Sequence, residues 1–307
     1  MRLLILGAGG IGGYYGGRLA AAGADVTFLV RERRGAQLAR DGLVLTSPYG
    51  DVTQPVAAVT AIDGPFDAVL LSCKAYDLDS AAEAIAPAVG PDTLVLPLLN
   101  GVRHLDVLDA RFGAERVLGG SVHIMVTMAA DGTIRHLNKL QRFVMGARSE
   151  PQREAAARLH AALEPGGFKP ELSPDVMQDM WEKFTMLATF AGLTCVMRAS
   201  VGQIMEAEEG AEIAAALLAE CASVAAANGH PPRQPFLDQS LAMLTTKGSA
   251  ATASMLRDVE NGFRTEHEHI LGDLRRRARA AGLATPVLAV AFAHMQAHAA
   301  RQAAENA

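Results

Sequence analysis

Arg2-Leu3-Leu4-Ile5-Leu6-Gly7-Ala8-Gly9-Gly10-Ile11-Gly12, residues 2–12, decides how the chain is read. Residues 2–6 predict a compact apolar strand, and residues 11–22 have helical composition. Between them Gly7-Ala8-Gly9-Gly10-Ile11-Gly12 matches G-x-G-x-x-G, in the strand–turn–helix context that gives this pattern weight. Gly7 allows the tight turn, Gly9 lets backbone approach a pyrophosphate, and Gly12 lets helix and strand pack closely. Ala8, Gly10 and Ile11 complete a loop that would seat phosphates at a helix N-terminus, where free N–H groups and the dipole favour negative charge. The alternative is a glycine-rich turn without a ligand.

Working outward, residues 25–30, 67–72 and 93–96 are further apolar strands, with helical candidates at 78–86 and 104–110. Apolar strands without polar alternation, separated by helices, indicate a parallel sheet covered on both faces. Past Val117, residues 121–127, 133–137 and 142–145 predict strands with a turn at Asp131 and Gly132, expected to extend that sheet in antiparallel fashion. Residues 151–163 read as a helix, residues 164–174 as a Pro/Gly stretch, and almost everything from Asp175 onward as helical. The expected architecture is α/β: a Rossmann-type doubly wound sheet over residues 1–172, then an all-helical domain over residues 173–307.

Strand two ends at Val30 and is followed by Arg31-Glu32-Arg33-Arg34. Arg31, the first residue past the strand, can pair bidentately with a 2′-phosphate, which favours NADP(H) over NAD(H). Glu32 is the competing signal, since an acid near this position would bond a ribose hydroxyl. A solvated charge run at a helix start is the plain alternative.

Bulk properties narrow the classes. Half of the 307 residues are hydrophobic, enough for a sizeable core, and the net charge of -5 comes without a long basic run, so nothing suggests nucleic acid. Cys73, Cys195 and Cys221 are odd in number and form no C-x-x-C pair, so neither a disulfide framework nor zinc is expected. Reduced thiols fit a cytoplasmic protein. The apolar N-terminus is too short for a signal peptide, and the apolar stretch 184–197 fits a core helix better than a membrane span. His294 and His298 are four apart but lack further ligands at motif spacing, so no metal is expected.

The chain resembles the ketopantoate reductase (2-dehydropantoate 2-reductase) family over nearly its full length. Beyond the glycine loop, the resemblance rests on Ser72-Cys73-Lys74-Ala75-Tyr76, Leu99-Asn100-Gly101, Trp181-Glu182-Lys183, and Ser254-Met255-Leu256-Arg257-Asp258 followed by Arg264-Thr265-Glu266. It implies NADPH-dependent reduction of a 2-oxo acid, by default ketopantoate to pantoate in pantothenate biosynthesis, in a cleft beside a helical C-terminal domain. It implies Lys183 as proton donor, with Glu266 near the nicotinamide ribose and the lysine. Lys74 would meet cofactor ribose or phosphate, Asn100 would orient the nicotinamide or the lysine, Ile124 would touch cofactor through its backbone, and Ser254 would bond the substrate carboxylate.

The residues themselves support parts of this. On a helix Lys183 shares a mostly apolar stripe with Asp179, Met180, Met186, Leu187, Phe190 and Ala191, which lowers a lysine pKa toward the working range of an acid. Snorkelling from a helix edge is the alternative. Asn100-Gly101 also reads as a simple turn, Ser254 as a helix cap, and Glu266 as part of an exposed helix face. The resemblance fails on the substrate side. Family members carry asparagines four and eight residues after the lysine and, in some, a third; here these positions hold Leu187, Ala191 and Val201. A paralogue acting on another hydroxy acid and a non-catalytic NADP(H)-binding sensor therefore stay open, as does a homodimer.

Overall fold

The computed structural model describes residues 1–305, and in it the apolar blocks of the first half become parallel strands. In order, the strands are β1 (Leu3–Leu6), β2 (Val26–Leu29), β3 (Leu43–Thr46), β4 (Val52–Gln54), β5 (Ala57–Val59), β6 (Ala68–Leu71), β7 (Leu94–Pro97), β8 (Gly119–Met128), β9 (Ile134–Gly146) and β10 (Glu171–Leu172). Helices α1 (Gly10–Ala21), α2 (Glu32–Asp41), α3 (Leu78–Ile85), α4 (Arg103–Phe112) and α5 (Arg153–Leu163) are interspersed among them. The first sheet has the order β5-β2-β1-β6-β7, with every pairing parallel. All residues of β6 and β7 are buried, which is why they read as unbroken apolar runs. From β1 the chain first builds outward through β2, then returns to lay β6 on the other side, creating a switch point beside β1.

The stretches past Val117 form strands but do not extend this sheet, contrary to expectation. They build a second sheet of order β10-β9-β3-β4, with β8 antiparallel to β9. Only one parallel bridge, Val95 to Val117, ties this stretch to the first sheet before β8 departs. The two sheets are kept apart by α1. A Cβ on Gly12 would lie 2.2 Å from the Gly7 carbonyl oxygen, and one on Gly16 2.7 Å from the Phe28 ring, both in or beside the first sheet. A Cβ on Gly13 would lie 2.2 Å from Ile134, and one on Gly17 2.7 Å from Leu43, both in the second. The helix is thus bare of side chains toward each sheet, while Tyr14 and Tyr15 fill the remaining space and Tyr15 meets Phe143 and Phe168 edge-on.

The chain divides into a unit of residues 1–179 and a second unit beginning at Met180. Helix α6 (Val176–Met197) runs across that point in sequence, and α7 (Val201–Ile204), α8 (Gly210–Ala227), α9 (Gln234–Leu244), α10 (Ser254–Glu260), α11 (Asp273–Ala280) and α12 (Pro286–Glu305) follow. A π-helical turn, Glu268–Gly272, leads into α11. Helix α8 is long and apolar enough to cross a membrane. One face of it packs inside the unit, where Leu217, Leu218, Cys221 and Val224 are buried. The half-buried Glu220 carboxylate accepts the Val287 and Leu288 N–H groups, at 3.0 and 2.8 Å, in the first turn of α12. Those N–H groups have no acceptor within their own helix, so Glu220 both satisfies them and meets the positive end of the dipole. Replacing Glu220 by Ala is expected to destabilise the fold by about 1–2 kcal/mol. Urea unfolding checks this; an unchanged midpoint would show that the cap contributes nothing.

Candidate active site

The parallel register sets out the cofactor half. Leu6 pairs with Leu29 and Leu71, and Leu71 with Pro97, so the carboxyl ends of β2, β1, β6 and β7 share one line. Gly7, Arg31, Lys74 and Asn100 all follow within three residues of it. Gly7 takes φ +88°, a left-handed conformation that suits glycine, and its N–H donates to Leu29. Gly9 caps α1, and Gly10, Ile11 and Gly12 open it, so their N–H groups lack intrahelical acceptors. A Cβ on Gly9 would meet nothing within 4 Å, leaving the loop open to a phosphate. Buried Ala8 completes the loop, and Ser72 Oγ donates to the Leu6 carbonyl at 2.8 Å, joining the ends of β1 and β6. This cradle fits the pyrophosphate of a dinucleotide. Lys74 is exposed at the end of β6, and Asn100 is half-buried before Gly101, whose φ is +78°. Ile124 lies on β8 beside an irregularity in the β8–β9 register and packs on the core.

The four-residue charge run divides by burial. Arg31, Glu32 and Arg33 are exposed, whereas Arg34 turns inward, its Nε donating to the Ala8 carbonyl and its Nη1 to Gly132. Arg34 therefore splints the glycine loop to the β8–β9 turn, and its burial lowers its pKa. Only the periodicity of α2, which places residue 34 a turn from the buried Leu38, signalled this.

The second unit supplies Lys183, Glu266 and Ser254. Lys183 is half-buried on α6, and enclosure of its ammonium pushes its pKa down to about 8, while the Glu266 charge pulls it back up. Glu266 is not on a helix face, as its surroundings in sequence suggested. It precedes the first helical residue, and its carbonyl accepts the N–H groups of His269 and Ile270, both at 3.0 Å. Ser254 is exposed at the first turn of α10, where Ala253, not Ser254, occupies the cap position. The neighbours of Lys183 anchor its helix. Trp181 stacks on His230 with ring centroids 5.6 Å apart, and buried Glu182 accepts Arg233 N at 2.9 Å and Nε at 2.8 Å. Arg233 had no motif to reveal it.

Comparison with known proteins fits this geometry. The family model described as ketopantoate reductase PanE/ApbA matches residues 3–150, and that of its C-terminal domain matches residues 175–299. The chain belongs to the ketopantoate reductase family. It is accordingly an oxidoreductase acting on CH–OH groups that uses a nicotinamide dinucleotide. A Bacillus subtilis (strain 168) protein named uncharacterized oxidoreductase YkpB is 37% identical over 299 residues, spanning 96% of this chain and 98% of that one. A crystal structure of 2-dehydropantoate 2-reductase from Geobacter metallireducens GS-15 is 28% identical with a TM-score of 0.87, covering 96% of this chain and 99% of that one. A ternary structure of D-mandelate dehydrogenase with NADH and anilino(oxo)acetate shares the fold at 21% identity and TM-score 0.88, covering 98% of this chain and 99% of that one.

Where this member of the ketopantoate reductase family departs from the asparagine pattern, Ala191 and Val201 are buried and only Leu187 presents surface, one turn beyond Lys183. Cys195 and Cys221 are buried with thiols pushed up to about 12, so neither serves as a nucleophile. Among the described residues no group of three or more His, Cys, Asp or Glu is placed to hold a metal. Because Glu266 raises the pKa that burial lowers, Glu266→Gln is expected to move the Lys183 titration below pH 8. NMR of the labelled lysine Cε measures this directly; an unmoved or raised midpoint would uncouple the two residues.

Proposed function

We propose that this chain reduces a 2-oxo acid to the 2-hydroxy acid with NADPH, ketopantoate to pantoate being the default reaction, and that Lys183 donates the proton. The observation that carries the reading is the enclosed Lys183 ammonium held under the charge of Glu266. NADPH, when bound, supplies a hydride to the carbonyl carbon. Charge then develops on the carbonyl oxygen, and a positioned acid must neutralise it. With a pKa of about 8, Lys183 is mostly charged at pH 7 yet releases its proton far more readily than an ordinary lysine. Glu266 keeps that proton in place until the oxygen takes it. Asn100 and Ser254 complete the proposed substrate contacts, Ser254 by donating its exposed hydroxyl to the substrate carboxylate.

For the cofactor, the glycine loop takes the pyrophosphate, while Arg31 and Lys74, exposed at the ends of the strands flanking β1, favour the 2′-phosphate of NADP(H). Cysteines held as thiols rather than disulfides agree with action in the cytoplasm. Leu187 supports a second reading: the same chemistry on a 2-oxo acid with a less polar side chain than ketopantoate. An apolar wall gains little from a substrate hydroxyl and discriminates weakly against its absence.

Lys183→Ala is expected to bind NADPH nearly as the wild type does and to lose at least about a hundredfold in turnover. Near-normal turnover would defeat the assignment of the proton donor. Steady NADPH oxidation with a panel of 2-oxo acids identifies the substrate, and no oxidation with any of them would leave a binding protein instead. The pH dependence follows from the depressed lysine pKa. The acid is present below pH 8 and lost above it, so reduction is expected to slow as pH rises through about 8 while hydroxy-acid oxidation quickens. Parallel pH profiles in the two directions would contradict this.

A further inference from the structure

We propose that Asp77 restrains the preference for NADP(H) by contesting Arg31 with the 2′-phosphate. This rests on the reading of Arg31 as the 2′-phosphate ligand. Arg31 stands at the cap position of α2, just past β2, with its side chain 84% exposed, and its Nη2 meets Asp77 Oδ2 at 3.3 Å. Asp77 comes from beyond the end of β6, on the other side of β1 in the sheet, so the pair reaches across the strand that carries the glycine loop.

The behaviour of Asp77 within its own helix is the second observation. It closes a 3-10 turn, Ala75–Asp77, that runs directly into α3, and its side chain takes no part in capping the helix. Its carboxylate turns instead to Arg31. Lys74, three residues earlier and exposed, lies at the same strand end. The edge expected to receive the adenosine ribose thus holds Arg31, Lys74 and the Asp77 carboxylate paired with Arg31, with the exposed Glu32 beside them.

A 2′-phosphate brings about 1.5 to 2 negative charges. To bind it, Arg31 must leave or share Asp77, and that carboxylate then faces the phosphate at close range. A ribose bearing only hydroxyls imposes neither penalty, and a carboxylate accepts hydrogen bonds from those hydroxyls. Asp77 therefore weakens NADP(H) while leaving NAD(H) untouched or improved, and holds the two affinities closer together than Arg31 alone would. Unit charges about 4 Å apart in a water-like medium correspond to roughly fivefold in affinity.

The test is calorimetric titration with adenosine 2′,5′-bisphosphate and with AMP, which differ only in the 2′-phosphate. Asp77→Asn is expected to tighten the bisphosphate about fivefold at low salt, to leave AMP unchanged or slightly weaker, and to lose most of this gain in 0.5 M KCl. Equal tightening of both nucleotides, or no change, would overturn the proposal, provided Arg31→Ala still abolishes the wild-type preference for the bisphosphate. If Arg31→Ala leaves that preference intact, the reading of Arg31 itself fails and the proposal falls with it. Arg31 is solvent-exposed and Asp77 partly so, and matching thermal transitions for the variants tie any change to the binding edge rather than to the fold.

Discussion

Everything in the first unit is built around how closely α1 approaches two sheets at once. Gly12 and Gly16 lie one turn apart on the face toward the parallel sheet, and Gly13 and Gly17 one turn apart on the face toward the other. At Gly12 the obstacle to a side chain is the Gly7 backbone carbonyl, which no rotamer change removes; overpacking of this kind costs about 1–3 kcal/mol. That contact sets the start of α1 immediately beyond β1. The shared register of Leu6, Leu29 and Leu71 then places Arg31 and Lys74 on either side of the helix N-terminus. A packing constraint inside the unit thereby fixes the electrostatic pattern at its edge.

The second unit solves a different problem, holding an amine in a partly dry setting without losing its proton. Burial alone drives Lys183 toward neutrality, and Glu266 opposes it. The adjacent Glu182 would be a rival partner, but it is committed to Arg233 through several hydrogen bonds. Residues one apart on a helix point about a quarter-turn away from each other, so the two carboxylates act on different cations. Trp181 and Glu182 tie the helix to the segment carrying His230 and Arg233, which fixes the rotation of α6 and hence the direction of Lys183.

How much of this could be read beforehand depended on where the determining contacts lie along the chain. The strands β1, β6 and β7 were legible because burial on both faces leaves unbroken apolar runs, and β2 was legible because Thr27 alone interrupts its apolar residues. β4 and β5 have three residues each and no fully buried position, so they carry no usable pattern. The strands around residues 121–145 were recognisable, but their partner was not: β9 joins β3, some ninety residues earlier, and nothing local specifies that. β9 also continues unbroken through residues 137–141, where Leu137 and Leu140 are exposed and the alternation breaks. Glu266 reads as part of a helix because its neighbours are charged and helix-compatible, whereas the helix begins only at His267.

The same distinction explains why the cofactor half of the site is more readable than the substrate half. A pyrophosphate is held by backbone N–H groups, and backbone geometry leaves its trace as glycines at fixed spacing. A 2-oxo acid is recognised by side chains whose identity follows the particular acid, and a helix face tolerates many of them without any change in fold. Leu187 illustrates this: it is helical and half-buried one turn beyond Lys183, and in the proposed site it would put an apolar wall where an asparagine would offer hydrogen bonds. The fold is indifferent to the change, whereas under the proposed reading the selectivity of the site turns on it.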